Sequence, residues 1–333
     1  MVPLLIYGAT GYTGRMASEQ AKSTGLDFAL AGRTESKLKD LASRLEVSYY
    51  VFDLSEKVIL DSMLKNTHAI LNCAGPFIQT AKPLMEACLR NKTHYLDISA
   101  ELATYQQAQL YDNAAQRAGI MLLPGCGGSV AMLGCLASHV IDQVNDPQTI
   151  DIALHVAGSM SRGSAISASS MTAGCLQLVD GRLVEQDMNQ TAGFDFGDGN
   201  GNVESFPVTL PDLLTIGKAS NIANIRAFVH VSGDAFSKGD IELLSDGPTA
   251  AERGAAPYHA VAIVTSKEGV AKRAALHTLN GYTFTCLASV EAARRVLENE
   301  TKMGFQTPVV VFGKDFLRAI PSTEINDLQL GSR

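Results

Sequence analysis

The feature that most restricts the fold of this chain is a glycine-rich turn directly after the first apolar run. Residues 4–7 are apolar, and residues 8–14 then read Gly-Ala-Thr-Gly-Tyr-Thr-Gly. The first glycine permits a tight turn out of a strand, the second lets the backbone approach a ligand, and the third lets a helix pack closely on a sheet. Free N–H groups at the start of that helix would bind phosphate groups.

Short apolar runs alternate with amphipathic segments as far as residue 125, which predicts β-strands separated by helices. The predicted strands are 4–7, 28–31, 49–52, 69–72, 95–98 and 121–123. The predicted helices are 13–22, 36–45, 56–64, 80–90 and 101–116. Strands that are apolar along their whole length indicate a parallel sheet covered by helices on both faces. We therefore predict an α/β protein that begins with a Rossmann-type doubly wound parallel sheet.

The pattern changes after the Pro-Gly-Cys-Gly-Gly sequence at 124–128. Apolar alternation predicts strands at 150–156, 226–231, 259–265 and 273–279, with a hairpin turn at 266–269 between the last two. Helices are predicted at 130–140, 165–178 and 286–299, a glycine-rich loop or hairpin tip at 193–202, a short strand at 307–312, and a frayed C-terminal dozen. A second domain with a mixed α/β structure follows from this pattern.

Composition and charge exclude several classes of function. The net charge of −7 disfavours nucleic-acid binding, which needs a basic face for the phosphates. No apolar stretch approaches the roughly 18 residues of a membrane-spanning helix. The six cysteines show no metal-ligand spacing, and with no secretory signal they are expected to be reduced thiols of a cytoplasmic protein. No metal site is expected.

The end of the second predicted strand bears on which dinucleotide binds. Enzymes that use NAD usually place an acidic residue there to accept a hydrogen bond from the ribose 2′-hydroxyl. This chain has Arg33 and Thr34 instead, which offer a guanidinium and a hydroxyl to a 2′-phosphate, with Lys37 as a weaker second cation. NADP(H) is therefore favoured, although Arg33 could be a solvated surface residue. Asp53 could contact the adenine, cap the next helix, or do both.

Several motifs together resemble the saccharopine dehydrogenase-like oxidoreductases, a family that includes saccharopine reductase and the trans-acting enoyl reductases. These motifs are the glycine turn with Tyr12 and Arg15, then Ala-Gly-Arg at 31–33, Asn-Cys-Ala-Gly-Pro at 72–76 and Thr-His-Tyr-Leu-Asp at 93–97. Shorter matches lie at 161–165, 281–282 and 304–313. The segment 125–129 departs from the family pattern.

The resemblance implies hydride transfer with NAD(P), common dimerisation, and a C-terminal segment that returns to the first domain. We accordingly divide the chain into a dinucleotide-binding domain (1–125), a mixed α/β substrate or dimerisation domain (126–300) and a returning segment (301–333). The implied partners are a small-molecule substrate and a second copy of the chain.

Ligands of doubly wound sheets bind beyond the carboxyl ends of the strands, and four candidates for catalysis lie in such loops or beside them. Tyr95 and Asp97 could move a proton to a reduced C=N or C=C group, or could be a core aromatic and a helix cap. Cys126 precedes a helix and could be a thiolate nucleophile, as in semialdehyde dehydrogenases, or a small buried residue. Arg162 could bind a substrate carboxylate or lie in a solvated capping turn.

The sequence therefore predicts an NADP(H)-dependent oxidoreductase acting on a small metabolite or acyl substrate. The residues expected to hold the cofactor are Gly8, Thr10, Gly11, Tyr12, Thr13, Gly14, Arg33, Thr34, Asp53, Ala74, Gly75 and Pro76. Two alternatives stay open. One is a catalytically silent NADP(H)-binding regulatory or sensor protein, and the other is a semialdehyde dehydrogenase that depends on Cys126.

Overall fold

The computed structural model describes residues 2–169, 174–233 and 241–329. Their strands form two sheets, a seven-stranded parallel one and a nine-stranded mixed one. The strands of the first sheet are β1 (Val2–Tyr7), β2 (Phe28–Gly32), β3 (Tyr49–Val51), β4 (Thr67–Asn72), β5 (His94–Asp97), β6 (Met121–Leu123) and β15 (Gly304–Phe305). They lie in the order β15-β6-β5-β4-β1-β2-β3. The chain therefore adds β2 and β3 on one side of β1 and then adds β4, β5, β6 and β15 on the other side. The predicted doubly wound parallel sheet is confirmed.

Helices cover both faces of the first sheet because its strands are apolar on both sides. The helices of this half are α1 (Tyr12–Ser23), α2 (Glu35–Leu45), α3 (Lys57–Leu64), α4 (Phe77–Asn91), α5 (Leu102–Leu110) and α6 (Asp112–Ala118). The next helix, α7 (Gly128–Ile141), packs against the second sheet. Buried residues of α1 and α2 and most of those of α7 contribute to one hydrophobic core, and buried residues of α3 to α6 contribute to the other, together with Val130 of α7. The single helix predicted at 101–116 is two helices that meet at Tyr111.

The second sheet follows α7 and is mixed, as predicted. Its strands are β7 (Pro147–Ala157), β8 (Cys175–Val179), β9 (Arg182–Gln186), β10 (Ala192–Asp195), β11 (Asn202–Pro207), β12 (Asn224–Ser232), β13 (Tyr258–Ser266), β14 (Ala271–Thr278) and β16 (Glu324–Leu328). Strands β7 and β12 are parallel and form the centre, while β13 and β14 continue the sheet as an antiparallel hairpin.

Besides two short 3-10 helices, Ile241–Leu243 and Lys314–Ala319, the described residues form five further α-helices. They are α8 (Arg162–Ser169), α9 (Asp212–Ser220), α10 (Ala250–Ala255), α11 (Gly281–Leu297) and α12 (Pro308–Phe312). Helix α11 packs against α1 and β4, so it belongs spatially to the first sheet. Among the described residues, no helix is both long and apolar enough to span a bilayer.

Three predictions for the C-terminal two thirds were wrong in part. The helix predicted at 165–178 ends at Ser169, and β8 begins at Cys175; residues 170–173 lie outside the described residues. The strand predicted at 307–312 is the helix α12, because Pro308 occupies its first turn, where a proline is tolerated. The C-terminal dozen is not frayed as far as Leu328, because β16 pairs with β14; residues 330–333 lie outside the described residues.

The C-terminal segment contacts both sheets. Strand β15 pairs with β6 in the first sheet, and β16 pairs with β14 in the second. The division of the chain at 125 and 300 stays a prediction.

A buried carboxylate joins the ends of β5 and β6. Asp97 Oδ1 accepts hydrogen bonds from the backbone N–H of Ser99 (2.9 Å) and of Gly125 (2.7 Å), and Oδ2 accepts one from the Tyr95 hydroxyl (2.7 Å). Tyr95 and Asp97 have no exposed surface. Desolvation raises the pKa of Asp97 to about 6 and the pKa of Tyr95 well above its usual value. Both side chains therefore hold the turns at the carboxyl edge of the sheet.

Asp97→Asn should change the pH dependence of stability. Because the native state holds a proton on Asp97 that the unfolded chain releases near pH 4, raising the pH from 4 to 7 destabilises the native protein by about 2 kcal/mol through this group. Asp97→Asn lacks this titrating group. Between pH 4 and pH 7 its free energy of unfolding should therefore rise by that amount relative to the free energy of unfolding of the natural protein. Denaturant unfolding at pH 4, 5.5 and 7 measures it, and parallel curves for the two proteins would contradict the assignment.

Ile325→Ala tests the pairing of β16. Ile325 is half-buried against the larger core, so we expect the free energy of unfolding to fall by about 1–2 kcal/mol, less than a fully buried isoleucine would cost. Glu324→Ala is the matched control, because Glu324 is an exposed neighbour in the same strand. Equal stabilities of the two variants in thermal unfolding would indicate a frayed C-terminus instead.

Candidate active site

A cavity of about 880 Å³ lies between the carboxyl edge of the first sheet and one face of the second. Its volume is within the usual range for sites that bind small molecules and cofactors. Eleven of the residues expected to hold a cofactor form part of its wall. They are Gly8, Thr10, Gly11, Tyr12, Thr13, Arg33, Thr34, Asp53, Ala74, Gly75 and Pro76.

The turn between β1 and α1 has the geometry of a phosphate cradle. Gly8 has φ +76°, and a Cβ at this position would lie 2.7 Å from the backbone nitrogen of Ala74. A Cβ at Gly14, which lies behind the cavity wall, would be 2.2 Å from the Gly8 carbonyl oxygen. At Gly11 the nearest atom would be 3.4 Å away, and α1 starts at Tyr12 without a side-chain cap. The first turn of α1 is therefore open toward the cavity.

Tyr12 joins this cradle to the second half of the chain. Its hydroxyl donates a hydrogen bond to the Pro248 carbonyl and accepts one from Arg253 Nη1 at 2.7 Å. Its ring lies edge-to-face against Tyr282, with 5.2 Å between ring centroids. The hydroxyl of Tyr12 is thus hydrogen-bonded, and its ring packs against Tyr282, Gly247 and Arg253, which leaves its backbone N–H to a ligand.

The side chains at the end of β2 form one rim of the cavity. Arg33, Thr34 and Lys37 are exposed there and line the wall. Asp53 also lines it and accepts hydrogen bonds from the backbone N–H of Ser55 (3.0 Å) and its hydroxyl (2.7 Å). Those bonds, and to a lesser degree the positive charge of Arg33, lower the pKa of Asp53. Asp53 forms an Asx turn ahead of α3, while Glu56 is the residue that precedes the helix.

The turn after β4 forms the wall between the cradle and the second sheet. Asn72 Oδ1 accepts a hydrogen bond from Ala74 N–H (3.0 Å), and the Thr80 hydroxyl donates one to the Ala74 carbonyl (2.6 Å). The peptide bond between Gly75 and Pro76 is cis. A Cβ at Gly75 would lie 3.3 Å from the Ser167 hydroxyl oxygen of α8, so the two walls come close together here.

Glu101 begins the next turn and ties it to α4. Its carboxylate is buried and accepts hydrogen bonds from the backbone N–H groups of Phe77 (2.9 Å) and Ile78 (2.7 Å). These are free donors at the start of α4, where a negative charge is favourable. Glu101 lines the cavity, but both of its oxygens are occupied by this helix terminus.

Three of the four candidates for catalysis lie behind the cavity wall. Tyr95 and Asp97 belong to the buried network described above. Cys126 is fully buried, and burial raises the pKa of its thiol well above the usual value. All six cysteines of the chain are buried free thiols. A thiolate nucleophile at Cys126 therefore does not fit this geometry.

Arg162 does line the cavity, at the start of α8. Its Nε donates a hydrogen bond to the Leu244 carbonyl (2.9 Å), and its Nη2 lies 3.5 Å from Asp246 Oδ1. Asp246 also lies 3.7 Å from Arg15, so one exposed carboxylate faces an arginine from each half of the chain. The Arg162 side chain keeps 43% of its surface exposed, which leaves part of the guanidinium free for a ligand.

Sequence reasoning missed Tyr282 and Asp246 as parts of the wall. The Tyr282 hydroxyl accepts a hydrogen bond from Ser161 N–H (2.7 Å) and donates one to the Ser164 hydroxyl (3.0 Å). In the sequence the Gly-Tyr pair at 281–282 is only a family motif. The predicted helix begins at 286, whereas α11 begins at Gly281, so Tyr282 lies in its first turn. Asp246 carries no signal in the sequence, because only the fold brings it between the two arginines.

Comparison with known proteins identifies part of this architecture. Residues 4–123 match the family described as the saccharopine dehydrogenase NADP binding domain. The saccharopine dehydrogenase-like oxidoreductase of Mus musculus is 28% identical over 145 residues, 37% of this chain and 34% of the relative. The trans-acting enoyl reductase of Mycobacterium bovis is 28% identical over 132 residues, 37% of this chain and 32% of that protein. The matched segments thus span about a third of these curated relatives.

A solved structure resembles the whole chain. Saccharopine dehydrogenase (L-glutamate-forming) from Saccharomyces cerevisiae superposes with a TM-score of 0.68, covering 99% of this chain and 100% of that one, at 10% identity. At that identity the likeness concerns the fold alone. The resemblance drawn from the motifs is confirmed for the first part of the chain: residues 4–123 match the saccharopine dehydrogenase NADP binding domain family.

Proposed function

We propose that this chain is an NADP(H)-dependent oxidoreductase that transfers hydride to or from a small metabolite or acyl substrate. The observation that carries the proposal is the open first turn of α1, which faces a cavity that continues as far as the second sheet. Backbone N–H groups and the helix dipole at this position favour the pyrophosphate of a dinucleotide. Gly8 and Gly14 fit such a group, because a side chain at either would collide with the backbone that forms the cradle.

The preference for NADP(H) follows from the charges at the end of β2. Arg33 and Lys37 are exposed cations at the cavity rim, and Thr34 adds a hydroxyl. A ribose 2′-phosphate is dianionic near neutral pH, and a guanidinium can bind it through two parallel hydrogen bonds. Asp53 is held by Ser55 on the same rim and would face the adenosine half of the cofactor.

The reacting end would lie in the part of the cavity that the β4–α4 turn, the start of α8 and β7 line together. Ala74, Gly75 and Pro76 would contact the nicotinamide side of the cofactor, and a bound nicotinamide would supply the hydride chemistry. Opposite them, Arg162 and Ser161 provide polar groups, while Leu154 and Val156 of β7 provide an apolar wall. This composition suits a small substrate with an apolar part and a carboxylate or another anionic group. The homodimer implied by the family resemblance belongs to the same proposal.

Arg33→Ala should weaken binding of NADPH and leave binding of NADH unchanged. Loss of a charge-assisted contact of about 1.5–3 kcal/mol corresponds to a 10- to 100-fold higher Kd. Lys39→Ala is the matched control, because Lys39 is an exposed cation of α2 outside the cavity wall. Fluorescence titration of both nucleotides against the three proteins measures the effect. Equal Kd values for NADH and NADPH, unchanged by the substitution, would contradict the role of Arg33.

The protein should oxidise NADPH in the presence of a member of a panel of imines, enals and keto acids. For a carboxylated substrate, Arg162→Ala should lower kcat/KM by about 10- to 100-fold, since it removes a charge-assisted contact. Arg117→Ala, an exposed arginine of α6 outside the cavity wall, should not. Tight NADPH binding without turnover across the whole panel would contradict the proposal that the protein is an enzyme. It would support the alternative of a catalytically silent NADP(H)-binding protein.

A further inference from the structure

Four histidines form one row across the second sheet. His230 of β12 and His259 of β13 are each in register with His155 of β7, and His277 of β14 is in register with His259. Partners in register point to the same face of a sheet, so the rings meet. The ring centroids are 4.9 Å apart for His230 and His155, 5.7 Å for His155 and His259, and 4.7 Å for His259 and His277.

This row lies on the face of the sheet that is turned away from the cavity. Leu154 and Val156 line the cavity, and successive side chains of a strand alternate between faces, which places His155 on the other side. The tip of the β10–β11 hairpin, residues 196–201, folds over that face. Phe196 of the tip is fully buried, and a Cβ at Gly197 would lie 3.5 Å from His277 Nε2.

Two of the four rings form hydrogen bonds to backbone carbonyls of the hairpin and so hold the hairpin in place. His230 Nδ1 lies 2.8 Å from the Glu204 carbonyl oxygen, and His277 Nε2 lies 2.8 Å from that of Phe196. These are the distances of ordinary hydrogen bonds. Both rings therefore act as donors to the strand and the tip that cover them.

The other two rings have a buried nitrogen without a partner. Nδ1 of His155 and Nδ1 of His259 are inaccessible to solvent and form no hydrogen bond within the described residues. Buried polar atoms of this kind are rare and call for an explanation such as an ion. Nε2 of His155 lies 2.8 Å from the Ser232 hydroxyl oxygen, which orients the ring with Nδ1 toward the hairpin tip.

Asp198 of the hairpin tip completes the group. Its Oδ2 lies 3.9 Å from His155 Nδ1, and its side chain is 13% exposed. One ligand atom from each of His155, Asp198 and His259 lies within 4.8 Å of the others. The Asn200 amide group donates a hydrogen bond to Asp198 Oδ2 (3.0 Å) and would hold the carboxylate as an outer partner.

We propose that His155, His259 and Asp198 bind a divalent transition-metal ion, for which Zn²⁺ is the best match. Two imidazole nitrogens and one carboxylate oxygen are a known set of protein ligands for Zn²⁺, with a fourth position left to water. Ca²⁺ and Mg²⁺ prefer all-oxygen sites. Metal–ligand bonds of about 2.0–2.2 Å place ligand atoms about 3.3 Å apart in a tetrahedron, so the side chains must close by roughly 1 Å.

The ion would fasten the hairpin tip to the middle of the second sheet. Its ligands come from the strands β7 and β13 and from the covering tip, so binding would join three separate segments of the chain. An ion that binds only the folded state stabilises it by mass action. The site is separate from the cavity proposed for the dinucleotide, because it lies on the opposite face of β7.

Zn²⁺ titration of chelator-treated full-length protein by calorimetry tests the proposal. We expect one Zn²⁺ per chain and a higher Tm with Zn²⁺ present. Asp198→Asn and His259→Gln should each raise the Kd for Zn²⁺ by at least 10- to 100-fold. That factor is the usual effect of losing a residue that only hydrogen-bonds to a ligand, and these two residues are ligands themselves. His230→Gln is the matched control, because its ring lies beside His155 but is bound to a carbonyl; His139→Ala controls for the surface pair of His139 with Asp327.

Cobalt supplies a spectroscopic readout. Co²⁺ added to the natural protein should give visible bands of a four- or five-coordinate site without a thiolate charge-transfer band, and Asp198→Asn should lose them. Three results would overturn the proposal. They are the absence of stoichiometric binding, equal Kd values for the natural protein and both ligand variants, and a thiolate band that assigns the ion to cysteines.

Discussion

The close approach of Gly8 to Ala74 determines where the dinucleotide-binding half of the cavity can form. Gly8 leaves β1 with φ +76°, and a Cβ there would fall 2.7 Å from the backbone nitrogen of Ala74. The carbonyl of Gly8 in turn faces Gly14 at a distance that no side chain could occupy. These contacts bring the first turn of α1 and the β4–α4 turn into one wall, so the proposed phosphate cradle and the turn proposed to contact the nicotinamide depend on the same constraint.

The second sheet gives the cavity its other wall and uses strand alternation to separate two environments. Leu154 and Val156 of β7 face the cavity, whereas His155 between them faces the hairpin tip. A substitution in β7 can therefore affect one face without touching the other. This separation lets one sheet present an apolar wall to the cavity and a cluster of imidazoles, the proposed metal site, on its other face.

The first sheet was predictable because its strands are buried on both faces and therefore stand out as apolar runs. The cradle was predictable as well, since its glycines have a fixed spacing and a fixed place after β1. The segment 307–312 was predicted wrongly as a strand because three successive valines favour a strand. Pro308 instead starts a short helix. The polar strand β16 carried no apolar pattern to reveal its pairing with β14.

Contacts between distant segments were not predictable from the sequence. His155, His230 and His259 are separated by dozens of residues, and only the register of three strands places them side by side. Asp97 looked like a candidate for proton transfer because it ends a strand at the correct edge of the sheet. Its burial depends on how the turns after β5 and β6 close over it, which local sequence does not specify.

A crystal structure of the protein with bound NADPH tests the central claim most directly. The account predicts pyrophosphate oxygens within hydrogen-bond distance of the backbone N–H groups at the start of α1 and the 2′-phosphate against the guanidinium of Arg33. It also predicts the nicotinamide beside the Ala74–Pro76 turn, in the part of the cavity that β7 and Arg162 line. A nucleotide bound elsewhere, or a 2′-phosphate pointing into solvent away from Arg33, would contradict it.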